Sequence, residues 1–230
     1  MLAEHGDRVA IVLAEPVIGA GGVRPPAPGY LAGLRRLCDE HGAFLCFDEV
    51  VCGFGRLGAW WGAEKYGVVP DLVTFAKGVT SGYVPLGGLL VGPAVRERLE
   101  ADPDFVLRHG HTYSGHPTAC AAAVAALEIT RAQGLLERAV AVGDRLEEGL
   151  ESLIEAERIV STRGEAALRA VELAPGLDLA AVRDAMRDRG VIARGIPPST
   201  IAFCPPLVIG DEDLDLCVSA LGDAVRAVSS

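Results

Sequence analysis

Positive charge is scarce in this chain. Its 21 lysines and arginines face 31 aspartates and glutamates, so the 230 residues carry a formal net charge of −10. A surface of that sign repels a phosphate backbone and argues against a nucleic-acid partner. Long apolar runs are lacking as well. None reaches the roughly 20 residues that a membrane-crossing helix needs, so no membrane partner is expected. The opening MLAEHGDRVA holds acids and no apolar stretch, unlike a secretory leader. No C-x-x-C pair occurs among the six cysteines, Cys38, Cys46, Cys52, Cys120, Cys204 and Cys217. Most lie in apolar runs, which suits reduced, buried thiols of a cytoplasmic protein better than a disulfide frame or a zinc site. No internal repeat and no low-complexity linker interrupts the chain.

What remains is ordinary globular material, 50% apolar and 23% charged. The length allows one large domain, or a domain with a smaller lobe. Four β-rich runs come early, at 11–17, 43–50, 71–77 and 87–92. Between the first two lies a helix candidate, GYLAGLRRLCDEHG, with Tyr30, Leu31, Leu34, Leu37 and Cys38 on one face and Gly42 as its stop. Strand, helix and strand in that order read as a βαβ unit, hence a buried parallel sheet.

A small-residue helix, PTACAAAVAALEITR, starts with Pro117 in its first turn. A longer one runs from Leu135 to about Ala156, with Leu136, Ala139, Val142, Leu146, Leu150 and Leu153 at helical spacing. From about Glu157 the texture changes to short strands, broken by helices near 178–189 and 211–228. This alternation predicts an α/β first domain over residues 1–156 and a compact α+β lobe over 157–230.

In an open parallel sheet, ligands sit beyond the carboxyl ends of the strands. Three early runs end in charge there: Glu15, the Asp48–Glu49 pair, and Lys77. Other readings of these stretches are weaker. An apolar strand ending in Asp-Glu resembles a nucleotide motif, but the upstream phosphate loop with its G-K-[ST] is lacking. GFGRLG, at 53–58, spells a dinucleotide fingerprint. The two acids before it would repel a pyrophosphate, so a glycine-rich turn is the better reading. His109, His111 and His116 could offer metal ligands, yet the cluster lacks a carboxylate and lies just before a helix start, so no metal is expected. A lysine and an aspartate at neighbouring strand ends, with a hydroxyl-rich loop, fit pyridoxal 5′-phosphate (PLP). A lysine amine can condense with its aldehyde, and a carboxylate can keep its pyridine nitrogen protonated.

At this point the chain resembles the class III aminotransferases, which act on ω-amino acids and amines and have the PLP-dependent transferase fold type I. The likeness runs through AEPVIGAGGVRPP, CFDEVVCGFGRLG, DLVTFAKGVTSGYVPLGG, HGHTYSGHP and FCPPLVI, in order and spacing. It implies that Lys77 holds the cofactor aldehyde and shuttles the proton. Asp48 is implied as the pyridinium partner, and Val50 as the apolar residue on one ring face. Thr112 is implied as the hydroxyl that reaches the phosphate of a neighbouring subunit's cofactor in a homodimer, and Glu15 as a supporting acid.

Two departures from the family pattern carry further expectations. Members that use glutamate, such as the ornithine and γ-aminobutyrate aminotransferases, carry an acid where this chain has Ala20 and an arginine where it has Ala202. Arg194 resembles instead the mobile arginine of amine:pyruvate-type members, so a keto acid such as pyruvate is the expected amino acceptor. The likeness also reaches only the second half of such an enzyme. The first domain is therefore expected to be incomplete on its N-terminal side, and an inactive fragment serving as a partner subunit is the alternative reading.

Overall fold

A computed structural model of the chain describes residues 2–154 and 158–229. They fall into two compact units. The first holds residues up to Pro16, then Pro26–Phe54 and Ala59–Gln133. The second holds Val17–Pro25, Gly55–Gly58 and the chain from Gly134 onward. The expected boundary at 156/157 lies outside the described residues, as does the expected helix end at Ala156. The long helix Leu135–Glu151 belongs with the second unit, whereas the division expected from sequence set it with the first.

In the first unit, α1 (Leu2–His5) precedes β1 (Ile11–Ala14), α2 (Tyr30–His41) and β2 (Phe44–Asp48). Then come α3 (Gly62–Tyr66), β3 (Leu72–Phe75), β4 (Gly88–Val91), α4 (Pro93–Glu100) and α5 (Pro117–Ala132). The sheet runs β1-β2-β3-β4. Strands β1, β2 and β3 are parallel, as the βαβ pattern predicts, but β4 is antiparallel to β3. The connection from β3 to β4 carries no crossover helix, and without one a strand returns antiparallel. The sheet is thus mixed, and β4 is exposed along its whole length.

One face of this sheet builds the core. Leu45 and Phe47 are fully buried and pack with Leu31 and Cys38 of α2 and with Val68. Burying each large side chain contributes about 1.5–3 kcal/mol. The expected apolar stripe of α2 is seen at Leu31, Leu34 and Cys38, while Tyr30 stays half-exposed. Gly42 ends the helix in a left-handed conformation, φ 66°, as its position predicts.

The second unit contains α6 (Leu135–Glu151), β5 (Ile159–Glu165), β6 (Leu168–Leu173), α7 (Leu179–Asp188), β7 (Arg194–Ile196), β8 (Thr200–Phe203) and α8 (Asp211–Ser229). Its antiparallel sheet runs β5-β6-β8-β7. Ala139, Val142, Leu146 and Leu150 of α6 are fully buried in one core with Val171, Ile201, Leu221 and Ala224. Gly143 lets α6 approach the β5–β6 turn, since a Cβ there would lie 2.1 Å from the Ala166 carbonyl oxygen. Asp178 caps α7 by accepting hydrogen bonds from the backbone N–H groups of Ala180 and Ala181.

The six cysteines are thiols outside any disulfide. Cys38, Cys46 and Cys52 are buried as expected, but Cys120 and Cys204 are exposed. Among the described residues no single helix is long and apolar enough to cross a membrane.

Candidate active site

Because β1, β2 and β3 are parallel, their carboxyl ends share one edge of the sheet. That edge brings together Glu15, Asp48 and the approach to Lys77. Glu15 follows β1 by one residue and is half-buried. Asp48 closes β2, and its Oδ1 accepts a 3.0 Å hydrogen bond from the backbone N–H of Val50, itself half-buried. Among the described residues the Asp48 carboxylate makes no other hydrogen bond, so most of its acceptor capacity is left for a ligand.

Lys77 does not end a strand, as the sequence led us to expect. Strand β3 stops at Phe75, and Lys77 opens a 3-10 turn, Lys77–Thr80, with φ 44°. A left-handed conformation costs a side-chain-bearing residue about 1–2 kcal/mol, so its neighbours must hold it there. Val79 and Thr80 are buried beneath the turn, and the Thr80 hydroxyl donates to the Val84 carbonyl at 2.6 Å. Helix α5 packs against the same turn. Its small buried residues Ala119 and Ala123 permit that approach. The Lys77 side chain is exposed.

The strand register places Asp48 opposite Thr74, and Thr74 opposite Leu89, so the three share a sheet face. The Thr74 hydroxyl is buried and has no hydrogen-bond partner. A buried polar atom without a partner suits a site that a polar ligand completes. With an accessible lysine amine and an underused carboxylate on the same edge, the residues fit PLP.

Adjacent residues on a strand point to opposite faces, so Asp48 and Glu49 part company. Glu49 is fully buried (0% exposed). Its carboxylate accepts hydrogen bonds from Gly62 N at 2.8 Å and Ala63 N at 2.7 Å. Burial pushes this carboxyl up from its ordinary value, the two N–H donors pull the other way, and the nearby Asp48 charge adds to the rise. Burial also pushes the Cys46 thiol up, and Asp48 adds to that shift too.

The remaining expected residues lie elsewhere. Thr112 sits in an exposed turn closed by a hydrogen bond from Ser114 N to the His111 carbonyl at 2.9 Å. The histidines around it form no metal-holding group among the described residues. Arg194 begins β7 in the second unit and is exposed. Its cross-strand partner is Ala202. Sequence reading gave GFGRLG no more than a turn, yet Arg56 within it donates to the carbonyls of Ala167 at 3.0 Å and Pro205 at 2.6 Å.

Comparison with known proteins bears on the family and the fold. The family model for class III aminotransferases matches residues 1–225, and the chain belongs to that family. A β-alanine–pyruvate aminotransferase from Pseudomonas aeruginosa is 35% identical, over 97% of this chain and 52% of that protein. A diaminobutyrate–2-oxoglutarate transaminase from Halomonas elongata is 38% identical, over 100% of this chain and 52% of that protein. Among solved structures, a PLP-bound amine transaminase from an uncultivated Pseudomonas species superposes with a TM-score of 0.94 at 40% identity. That alignment covers 99% of this chain and 54% of the other. The fold is therefore that of the PLP-dependent transaminases. The chain spans about half the length of the curated relatives it matches.

Proposed function

We propose that this chain carries the lysine and the pyridine-binding side of a PLP-dependent aminotransferase. It moves an amino group from an ω-amino acid or amine to a keto acid. The observation that carries this reading is the meeting of Asp48 and the strained Lys77 turn at one carboxyl edge of the sheet. When bound, PLP supplies the electron sink that lets a substrate C–H bond ionise.

The chain's own residues then have distinct tasks. Lys77 would hold the cofactor through its amine, and its Nζ would carry the proton taken from the substrate carbon. Asp48 would keep a positive charge on the pyridine nitrogen. Val50 would offer the ring an apolar contact, and Glu15 would support the edge. Thr112 would serve the cofactor phosphate of a second subunit in a homodimer.

Support for a small keto-acid acceptor comes from the second unit. Ala202 stands where glutamate-using relatives are expected to have arginine, and Arg194 lies directly opposite it on the neighbouring strand. One guanidinium thus remains on this patch, from an exposed position that can swing. A carboxylate substrate engages it, and an uncharged amine does not need it. Pyruvate is the acceptor this arrangement favours.

The test is covalent trapping. The chain is mixed with PLP, reduced with borohydride and digested. The reading expects the pyridoxyl mass on the Lys77 peptide and its loss in Lys77→Arg. Labelling spread equally over Lys65 and Lys77 would end it.

A further inference from the structure

Lysine chemistry needs a fixed amine, and the backbone of Lys77 is held left-handed at φ 44°. The neighbours that hold it form one packed block. A Cβ on Gly78 would lie 3.1 Å from the Phe54 Cβ, so Phe54 presses directly on the turn. Phe54 is fixed in turn by its N–H, which donates to the Trp60 carbonyl at 2.7 Å. Its ring packs on Trp61, with centroids 4.8 Å apart, and on Phe75, with centroids 5.8 Å apart. Phe75 is the last residue of β3, two before Lys77.

The stretch carrying Trp60 and Trp61 has its own anchor. The next two N–H groups, of Gly62 and Ala63, both donate to the Glu49 carboxylate. Gly62 has no room to shift, because a Cβ there would lie 2.6 Å from Pro16 and 3.1 Å from Glu49 Oε2. Glu49 also ties β2 to β3 through its N–H, which donates to the Thr74 carbonyl at 2.9 Å.

We propose that Glu49 is a positioning residue for Lys77. Its carboxylate fixes the start of α3, α3 fixes Trp61 and Phe54, and Phe54 props the lysine turn. The inference rests on the reading of Lys77 as the reactive amine, and it assigns Asp48 and Glu49 separate tasks. Asp48 faces the ligand, while Glu49 works from behind the sheet edge.

The chain's lysine content makes a clean test. Lysine occurs only at positions 65 and 77. Reductive methylation with 13C-formaldehyde, in the absence of PLP, therefore gives two lysine side-chain signals, assigned with Lys77→Arg. Lys65 lies in α3, at the structure Glu49 caps, and reports local effects. In Glu49→Gln both signals are expected to shift by more than a linewidth. In Phe54→Leu, where the carboxylate and its two donors remain, the Lys77 signal should shift and the Lys65 signal should stay. Movement of Lys65 alone in Glu49→Gln, or an unmoved Lys77 in Phe54→Leu, overturns the proposal. If Glu49→Gln does not fold, Phe54→Leu decides alone. Because no PLP is present, coupled shifts would stand even if trapping at Lys77 failed, so the two claims fail separately.

Discussion

Arg163 and Glu172 meet across β5 and β6, with guanidinium Nη1 2.9 Å from carboxylate Oε2. The same guanidinium donates to the carbonyls of Gly22 and Val23 at 2.8 and 3.1 Å and to the Thr200 hydroxyl at 2.8 Å. Ser199 donates to the other Glu172 oxygen. The pair therefore holds the 17–25 loop on the second unit's sheet.

This pair gives a pH prediction. Burial alone would raise the Glu172 carboxyl, but the bonds from Ser199, Arg163 and Thr200 outweigh it and hold the group below its ordinary value of 4.5. A carboxyl lowered in the folded state binds protons more readily when unfolded. Its contribution is therefore present above about pH 4.5 and lost as pH falls through the lower folded value. Urea midpoints measured from about pH 6 down to about pH 3 should fall for the native chain, and Glu172→Gln should flatten that dependence. Parallel curves for the two proteins would remove Glu172 as a source.

Asp48→Asn keeps the shape of the side chain and removes its charge. Turnover should drop by on the order of 100-fold, the usual effect of losing one aligned electrostatic group in a site. PLP uptake, followed by its visible absorbance, should persist in part. An unchanged kcat would take Asp48 out of the role proposed for it.

Arg194→Ala should discriminate between substrates. Losing a hydrogen-bonded charge partner raises KM for keto acids and amino acids by about 10-fold or more. Simple amines, which have no carboxylate, should keep their KM. Steady-state assays with a matched pair, one amine and one amino acid, check this. Equal losses for both would place Arg194 outside the substrate site.

Two glycine substitutions should act with opposite signs. Gly33→Ala sits in α2 with nothing within 4 Å of the new Cβ, so the better helix former should add about 0.5–1 kcal/mol. Gly143→Ala drives a methyl group into the Ala166 backbone, which cannot move as a side-chain tip could. It should cost about 1–3 kcal/mol, as overpacking does. Denaturant unfolding of both variants measures the contrast.

Local chemistry made part of this legible in the sequence. Gly42 marked a helix end, Pro117 a helix start, and the stripe from Ala139 to Leu150 a buried face, because each signal lies within a few residues of what it specifies. Asp48, Glu15 and Lys77 could be placed at one edge because a βαβ unit fixes strand direction. The left-handed turn at Lys77 was hidden, since the apolar run continues smoothly into it and Phe54, the residue that enforces it, lies far back in the chain. In the sequence Asp48 and Glu49 stand only as adjacent acids at a strand end, although strand alternation alone separates the two. The tasks of Arg56 and Arg163 were also out of reach. Arg56 bonds Pro205 across 149 residues and Arg163 bonds Gly22 across 141, and no local pattern announces such pairings.

Those two arginines bear on how the chain can be divided. The second unit is assembled from three separate stretches, two of them short loops borrowed from the sequence of the first. A peptide beginning at Gly134 would contain every strand and helix of that unit and still lack both loops. The Arg163 fork would lose the Gly22 and Val23 carbonyls, and the carbonyls of Ala167 and Pro205 would lose Arg56. The boundary is thus a braid, with no single peptide bond at which scissors or an evolutionary shuffle could lift this lobe out whole.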